Sequence, residues 1–293
     1  MLIAPNAATY ATRVPYITPA EFRAHPTGVE VSKLAPGGST AANDQALLQI
    51  IRRASSMADG MCGNKILAAT VDTQSGRYRP DRFGKINIAL DWSPVVAVDT
   101  VTAGLQPGSQ IALEEGPDWS LEGRVLSVPT AFTGCGQFGP VPSHIWATVR
   151  YVNGWANTVF TDPVPEGATE LTLNNALGIV PGMTLAVSGA TTSEFVVVDP
   201  SYVPSTAIVP TVVPLAAPTA FPYAVGDVCT AFPPEVKLAV IFLTAGIIKA
   251  RGSSAFVMAS TRSQPDTEVK LSEVASTEME LAAEILSEYR RTI

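Results

Sequence analysis

Residues 46–80 read "ALLQIIRRASSMADGMCGNKILAATVDTQSGRYRP". Within it Leu47, Ile50, Ile51, Ala54, Ala58 and Met61 recur at steps of three and four, which places them on one face of an α-helix. Arg52, Arg53, Ser56 and Asp59 fall on the other faces. Ser39 or Thr40 supplies an N-cap, Asp44 favours the positive end of the helix, and Gly63 ends it. The spacing therefore predicts an amphipathic helix over 43–62. Each large aliphatic side chain buried on its seam contributes about 1.5–3 kcal/mol. Cys62 closes this helix, with Arg52, Arg53, Arg77, Arg79 and Arg82 near it in sequence. Either it is a nucleophile in a basic pocket or it fills space. A helix C-terminus disfavours a thiolate, and activated cysteines sit at N-termini, so the position reads as packing.

Upstream, "YITPAEFRAHP" carries the signature of a short capped helix. Thr18 is the cap, Pro19 suits the first helical position, and Glu21 completes a capping box. His25-Pro26 then stops it. Downstream of Lys85 the period changes to two. "KINIAL", "PVVAVDTVTAG", "SQIALEE", "WSLEGRVLSVP" and "HIWATVRYVNGW" read as short antiparallel strands separated by Gly and Pro.

Composition shifts again at 161–232, a segment without a single Lys or Arg and dense in Pro, Thr, Val and Ala. "TELTL", "MTLAVS", "EFVVVD", "AIVPTVV" and "DVCTAF" are spaced as strands of a small barrel or sandwich. After "PPEV" the chain turns helical. "VKLAVIFLTAGIIKARG" is apolar nearly all round, as befits a helix central to a core or an interface. The last helix, "SEVASTEMELAAEILSEYRR", has Glu-rich early turns and Arg290-Arg291 at its end, an order that suits the helix dipole. The fold class expected is α+β: a helical core with an antiparallel β region, plus an inserted all-β barrel or sandwich module. The expected division is 1–160, 161–232 and 233–293.

The chain has 293 residues, of which 46% are hydrophobic and 15% charged, with net charge −7. So little charge favours permanent contacts with other subunits. The acidic balance argues against a phosphate-gripping nucleic-acid binder. Cys62, Cys135 and Cys229 lie too far apart for a zinc site, and His25 and His144 alone cannot build a metal centre. No cofactor is expected. The start of the chain lacks the basic region and apolar run of a signal peptide, and no apolar stretch reaches membrane-spanning length. Neither Cys62 with His25 nor Cys135 in "TGCGQFG" with His144 gains an orienting third residue, so neither reads as a nucleophile pair. "APGGS" is no phosphate cradle, since no strand precedes it and no Gly-Lys-Ser/Thr follows. "SGRYRPDRFG" reads as a charged hairpin with Asp81 as a partner of Arg77, Arg79 and Arg82. No enzymatic constellation emerges.

Several motifs in order carry a family resemblance: "EFRAHPTG", "PGGS", "LLQIIRRASSMADGMCG", "LAATVDT", "SPVVAVDTVTAG", "PPEVKLAVIFLTAGIIKARG" and "ELAAEILSEYRR". Across roughly 16–155 and 233–293 the chain resembles head-to-tail adaptor (connector) proteins of long-tailed phages that infect actinobacteria. The 161–232 segment is similar to small β modules of phage structural proteins, and the plainest adaptors lack such an insertion.

The resemblance implies a structural virion protein without catalysis. It would assemble in the host cytoplasm as a twelve-fold homo-oligomeric ring beneath the portal protein, at the head–tail interface. The ring would extend the DNA channel and meet the next connector or tail-completion protein. Duplex DNA would pass an acidic lumen without sequence-specific binding, an expectation that fails if the lumen is lined mainly by Lys and Arg. No membrane partner is expected.

Leu47, Ile50, Ile51, Val240, Ile241, Leu243 and Ile247 are the residues expected in core and subunit packing. Ile285, Leu286, Tyr289, Arg290 and Arg291 are the candidates for docking to the portal. The competing reading is a tail or capsid decoration protein whose β insert binds a host surface or carbohydrate. Its aromatic residues Phe160, Phe195, Tyr202, Phe221 and Tyr223 do not fall on one evident face.

Overall fold

The computed structural model describes residues 13–35, 37–63, 65–129, 143–252 and 277–289. Local rules set its helices. In α1 (Pro19–Ala24) the Thr18 side chain accepts from the Glu21 amide while the Glu21 carboxylate accepts from the Thr18 amide, the reciprocal capping box. Ser39 caps α2 (Thr40–Met61), accepting from the Ala42 amide, and Cys62 takes the C-cap before Gly63 turns the chain at φ +84°. Asp44 lies beyond the first turn of α2, which has no acidic residue, so it does not serve the helix dipole as expected; it pairs with Arg23 of α1. The apolar seam of α2 packs against α3 (Pro234–Gly252). A further helix over 277–287, here α4, adds Ala282 and Leu286 to the same cluster. Tyr16 and Ile17, in a stretch whose sequence has no periodicity, are buried there too.

Two sheets follow α2. One has the strand order β1 (Thr70–Tyr78), β7 (Ile145–Asn153), β3 (Val95–Gly104) and β4 (Ile111–Leu113). The other orders β2 (Lys85–Ala89), β6 (Val125–Pro129) and β5 (Ser120–Glu122). Their inner faces share one cluster built from Ile86, Ile88, Leu126, Val128, Val149 and Tyr151. The sequence reading misses β1, because "TVDTQSGRY" has no apolar alternation. Its nine-residue ladder with β7, Thr70 opposite Asn153 through Tyr78 opposite Ile145, is what makes it a strand. "WSLEGRVLSVP" proves to be two strands, β5 and β6, paired across a turn at Gly123.

The five segments of 161–232 read as strands supply β9 (Glu170–Leu173), β10 (Thr184–Ser188), β11 (Ser193–Val197), β12 (Thr211–Pro214) and β13 (Val228–Thr230). An additional strand, β8 (Asn157–Val159), pairs with β13. The sheet β11-β10-β13-β8 and the pair β12-β9 meet through bridges Val198–Leu215 and Phe160–Leu173, so six strands enclose one apolar cluster. The fold is thus mixed α and β with antiparallel sheets, compatible with the α+β class expected.

The chain enters and leaves this third unit at one place. Ala231 N donates to Ala156 O at 2.9 Å, and Trp155 stands 6.3 Å from Phe232. Two glycines make the junction possible. Gly154 has φ +99°, and a Cβ there would lie 2.7 Å from Leu67 O. Gly178 has φ +84°, and a Cβ would lie 2.6 Å from Ala156 N.

Candidate functional site

The candidate cysteines resolve into packing where they are described. Cys62 is buried between α2 and α4, its thiol 3.7 Å from Leu286 O. His25 stands edge-on to Phe242 of α3, its Nδ1 buried without a hydrogen-bond partner. Cys229 lies in the core of the six-stranded unit, and burial pushes its thiol up to about 12. Cys135 lies outside the described residues, as do Arg290 and Arg291. His144 is held below its ordinary value by desolvation and by the charges of Arg77 and Arg79, and Arg77 Nη2 lies 3.1 Å from its Nδ1.

Leu47, Ile50, Ile51, Val240, Ile241 and Leu243 are buried within the single chain, in the α2–α3 packing, and Ile247 is partly buried against it. Ile285 and Leu286 turn toward the same core, and Tyr289 meets the Trp155 ring edge at 5.5 Å. The face that these residues give α4 is therefore covered by the rest of the chain.

Between α1, α2 and the six-stranded unit lies a cleft of about 470 Å³, lined by Arg13, Arg23, Arg52, Asp44 and Asp227 among apolar neighbours. Its guanidinium groups are mostly engaged: Arg13 pairs with Asp59 at 2.7 Å and Arg23 with Asp44. Arg52 Nε is buried without a partner. Beside it, Glu21 Oε1 lies 2.7 Å from Lys237 Nζ of α3 and accepts from Ser188 Oγ of β10, a residue that lines the cleft, at 3.4 Å. This node ties the helices to the six-stranded unit and reads as structural wedging.

Two exposed features escape the sequence reading. The β1–β2 turn holds Phe83 out into solvent, 72% exposed, with the Arg82 guanidinium 4.7 Å over its ring. Asp81 does not partner the arginines as expected. Its Oδ1 accepts from the amides of Phe83 at 2.8 Å and Lys85 at 3.0 Å, and these bonds hold its carboxyl below the usual range. The turn is thereby locked, with Gly84 at φ +70°.

The second feature is the outer face of β11. Phe195 is 78% exposed, and Val197, two residues on, shares its outward parity, whereas Val196 and Val198 point into the core. Of the aromatic residues of this unit, Phe160, Tyr202 and Tyr223 are buried, and Phe195 and Phe221 are exposed. "EFVVVD" is apolar on both parities, so no sequence signal separates the outward residues from the inward ones.

Among the described residues, no group of three or more His, Cys, Asp or Glu is placed to hold a metal ion. No described helix is long and apolar enough to cross a membrane. No protein-family model, curated protein or solved structure matches the chain.

Proposed function

We propose that this chain is a structural virion protein, a head-to-tail adaptor that forms a ring under the portal, extends the DNA channel and joins head to tail. One observation carries the reading. The two stretches with the adaptor resemblance, roughly 16–155 and 233–293, are far apart in sequence, yet α2 and α3 build one core from them. The intervening residues depart and return at adjacent points, Ala156 and Ala231. In this reading the molecule is a helical connector core carrying an inserted small β barrel. The ring is homo-oligomeric and twelve-fold, its neighbours are the portal and the next connector or tail-completion protein, and duplex DNA passes its lumen. It resides at the head–tail interface of the virion.

The test is light scattering on the purified chain, alone and mixed with the portal protein of the same phage. Joint migration as one large complex is the expected result. A stable chain that leaves the portal unbound overturns the reading. If that chain instead binds host cells, the decoration reading takes its place, with exposed Phe195 and Phe221 on the β module as the contact.

A further inference from the structure

Two of the exposed apolar sites coincide with the uneven charge of this chain. The inserted unit carries Asp162, Glu166, Glu170, Glu194, Asp199 and Asp227 and no Lys or Arg to offset them. The outer face of β11 presents Phe195 and Val197, with Asp199 two residues on at the same parity. The β1–β2 turn is the converse. Arg82 lies over exposed Phe83, Arg77, Arg79 and Lys85 flank the turn in sequence, and the one carboxylate within 77–85, Asp81, accepts from backbone amides. An exposed aromatic side chain under an arginine on a hydrogen-bonded turn is a preorganised anchor, the type that dominates protein interfaces.

Phe83 is 72% and Phe195 78% exposed in the single chain, so the turn and the face do not cover each other within one molecule. A face-to-face pairing of two inserted units would oppose two acidic units with no cation between them. Turn on face joins opposite charge and buries apolar surface on both sides, and it repeats from copy to copy.

We infer that copies of this chain associate head to tail, the Phe83 turn of one copy seating on the Phe195–Val197 face of β11 in the next. The contact deepens the ring reading and rests on it, because a heterologous contact closes a ring when its rotation permits. It also gives the inserted module a role, as the receiving face for the neighbouring subunit.

The test uses the full chain and two variants, F83S and F195S. Both side chains are exposed, so both variants should melt as the wild type does, which circular dichroism checks. Sedimentation velocity should show the wild type associating beyond a dimer in low salt, and association weakening as salt rises. Each variant alone should associate about tenfold more weakly or worse. An equimolar mixture should give a dimer and nothing larger, because F83S keeps an intact face and F195S an intact turn. That capped dimer is the signature of the heterologous contact.

Variants that assemble like the wild type overturn the inference. So does a mixture that stays as weak as its components, or a wild-type chain that is monomeric at the highest concentration it tolerates. Portal binding by the same samples is read separately. Variants that still join the portal leave the adaptor reading standing, and its failure shows only when the wild type does not join.

Discussion

Asp59 stands near the end of α2, and three donors converge on its carboxylate: Arg13 Nη1 at 2.7 Å, Tyr16 Oη at 2.6 Å and the Leu67 amide at 2.9 Å. Arg13 Nη2 also reaches Tyr16 Oη at 2.7 Å. This node ties the segment before α1 to α2 and to the chain entering β1. Burial raises the carboxyl of Asp59 above its ordinary range, more than Arg13 and the other donors lower it, and burial also raises the Tyr16 phenol. Asp59→Ala leaves the Arg13 charge and the Tyr16 hydroxyl without their carboxylate partner and should cost about 3 kcal/mol, measured by urea denaturation at neutral pH. Recovery of full stability in that variant would remove the node from the account.

Asp72 has the opposite sign. Burial raises its carboxyl, but hydrogen bonds from Lys65 and Asn153 and the Lys65 charge outweigh it, and the net shift is down from 3.8. The folded state therefore binds fewer protons than the unfolded one. The stability from Asp72 is present above pH 3.8 and is lost as pH falls through the lower folded value. In Asp72→Asn, the fall in stability over that acid window should flatten, as followed by melting temperature against pH. An unchanged acid limb would contradict this assignment. For Asp59 the contribution runs the other way, present at low pH and lost as pH rises through the folded value.

At the scale of elements, α1 and α2 are legible from the sequence because their signals are local. Thr18, Pro19 and Glu21 fall within one turn, and the α2 seam repeats over the whole helix. β1 is illegible for the opposite reason: its partner β7 is about 75 residues away in the chain, and its own residues are polar on both parities. The same distance problem hides the splitting of the first β region into two sheets. β2 skips its neighbour in sequence to pair with β6, and β3 pairs with β7.

The junction glycines belong at this scale, since they fix how three elements meet. Gly154→Ala must hold a Cβ at φ +99° and against the carbonyls of Leu67 and Ala68. It should cost about 2–3 kcal/mol, read as a drop in the denaturation midpoint. Gly123→Ala, with nothing within 4 Å of its added Cβ, should cost less because only its φ of +61° is strained. Equal effects at the two positions would show that the close approach at Gly154 carries no weight.

At the scale of the whole molecule, the described residues form three apolar clusters, one helical, one between the first two sheets and one inside the six strands. The third is complete within its own segment, and the segment's ends are adjacent. Replacing 157–230 with a short Gly-Ser linker should leave a chain that keeps its helical circular dichroism and melts cooperatively. The excised unit 155–232 should also melt cooperatively. Loss of helix on excision would mean that Glu21, Ser188 and the cleft residues make the unit an obligatory part of the helical core.

The sequence by itself determined the elements whose signals lie within one turn or one strand: the capped helices, the all-round apolar α3, five strands of the inserted unit and the absence of positive charge from it. Those are short-range properties, set by side-chain spacing and by capping chemistry. Tertiary structure alone decided which parity of "EFVVVD" is buried, because both parities are apolar and only closure of the strands gives them an inside. It also decided that Asp81 locks a turn rather than pairing with arginines. It left Phe83 exposed while Phe160 and Phe22 are buried. Burial depends on what arrives from distant parts of the chain, and local patterning carries no record of it.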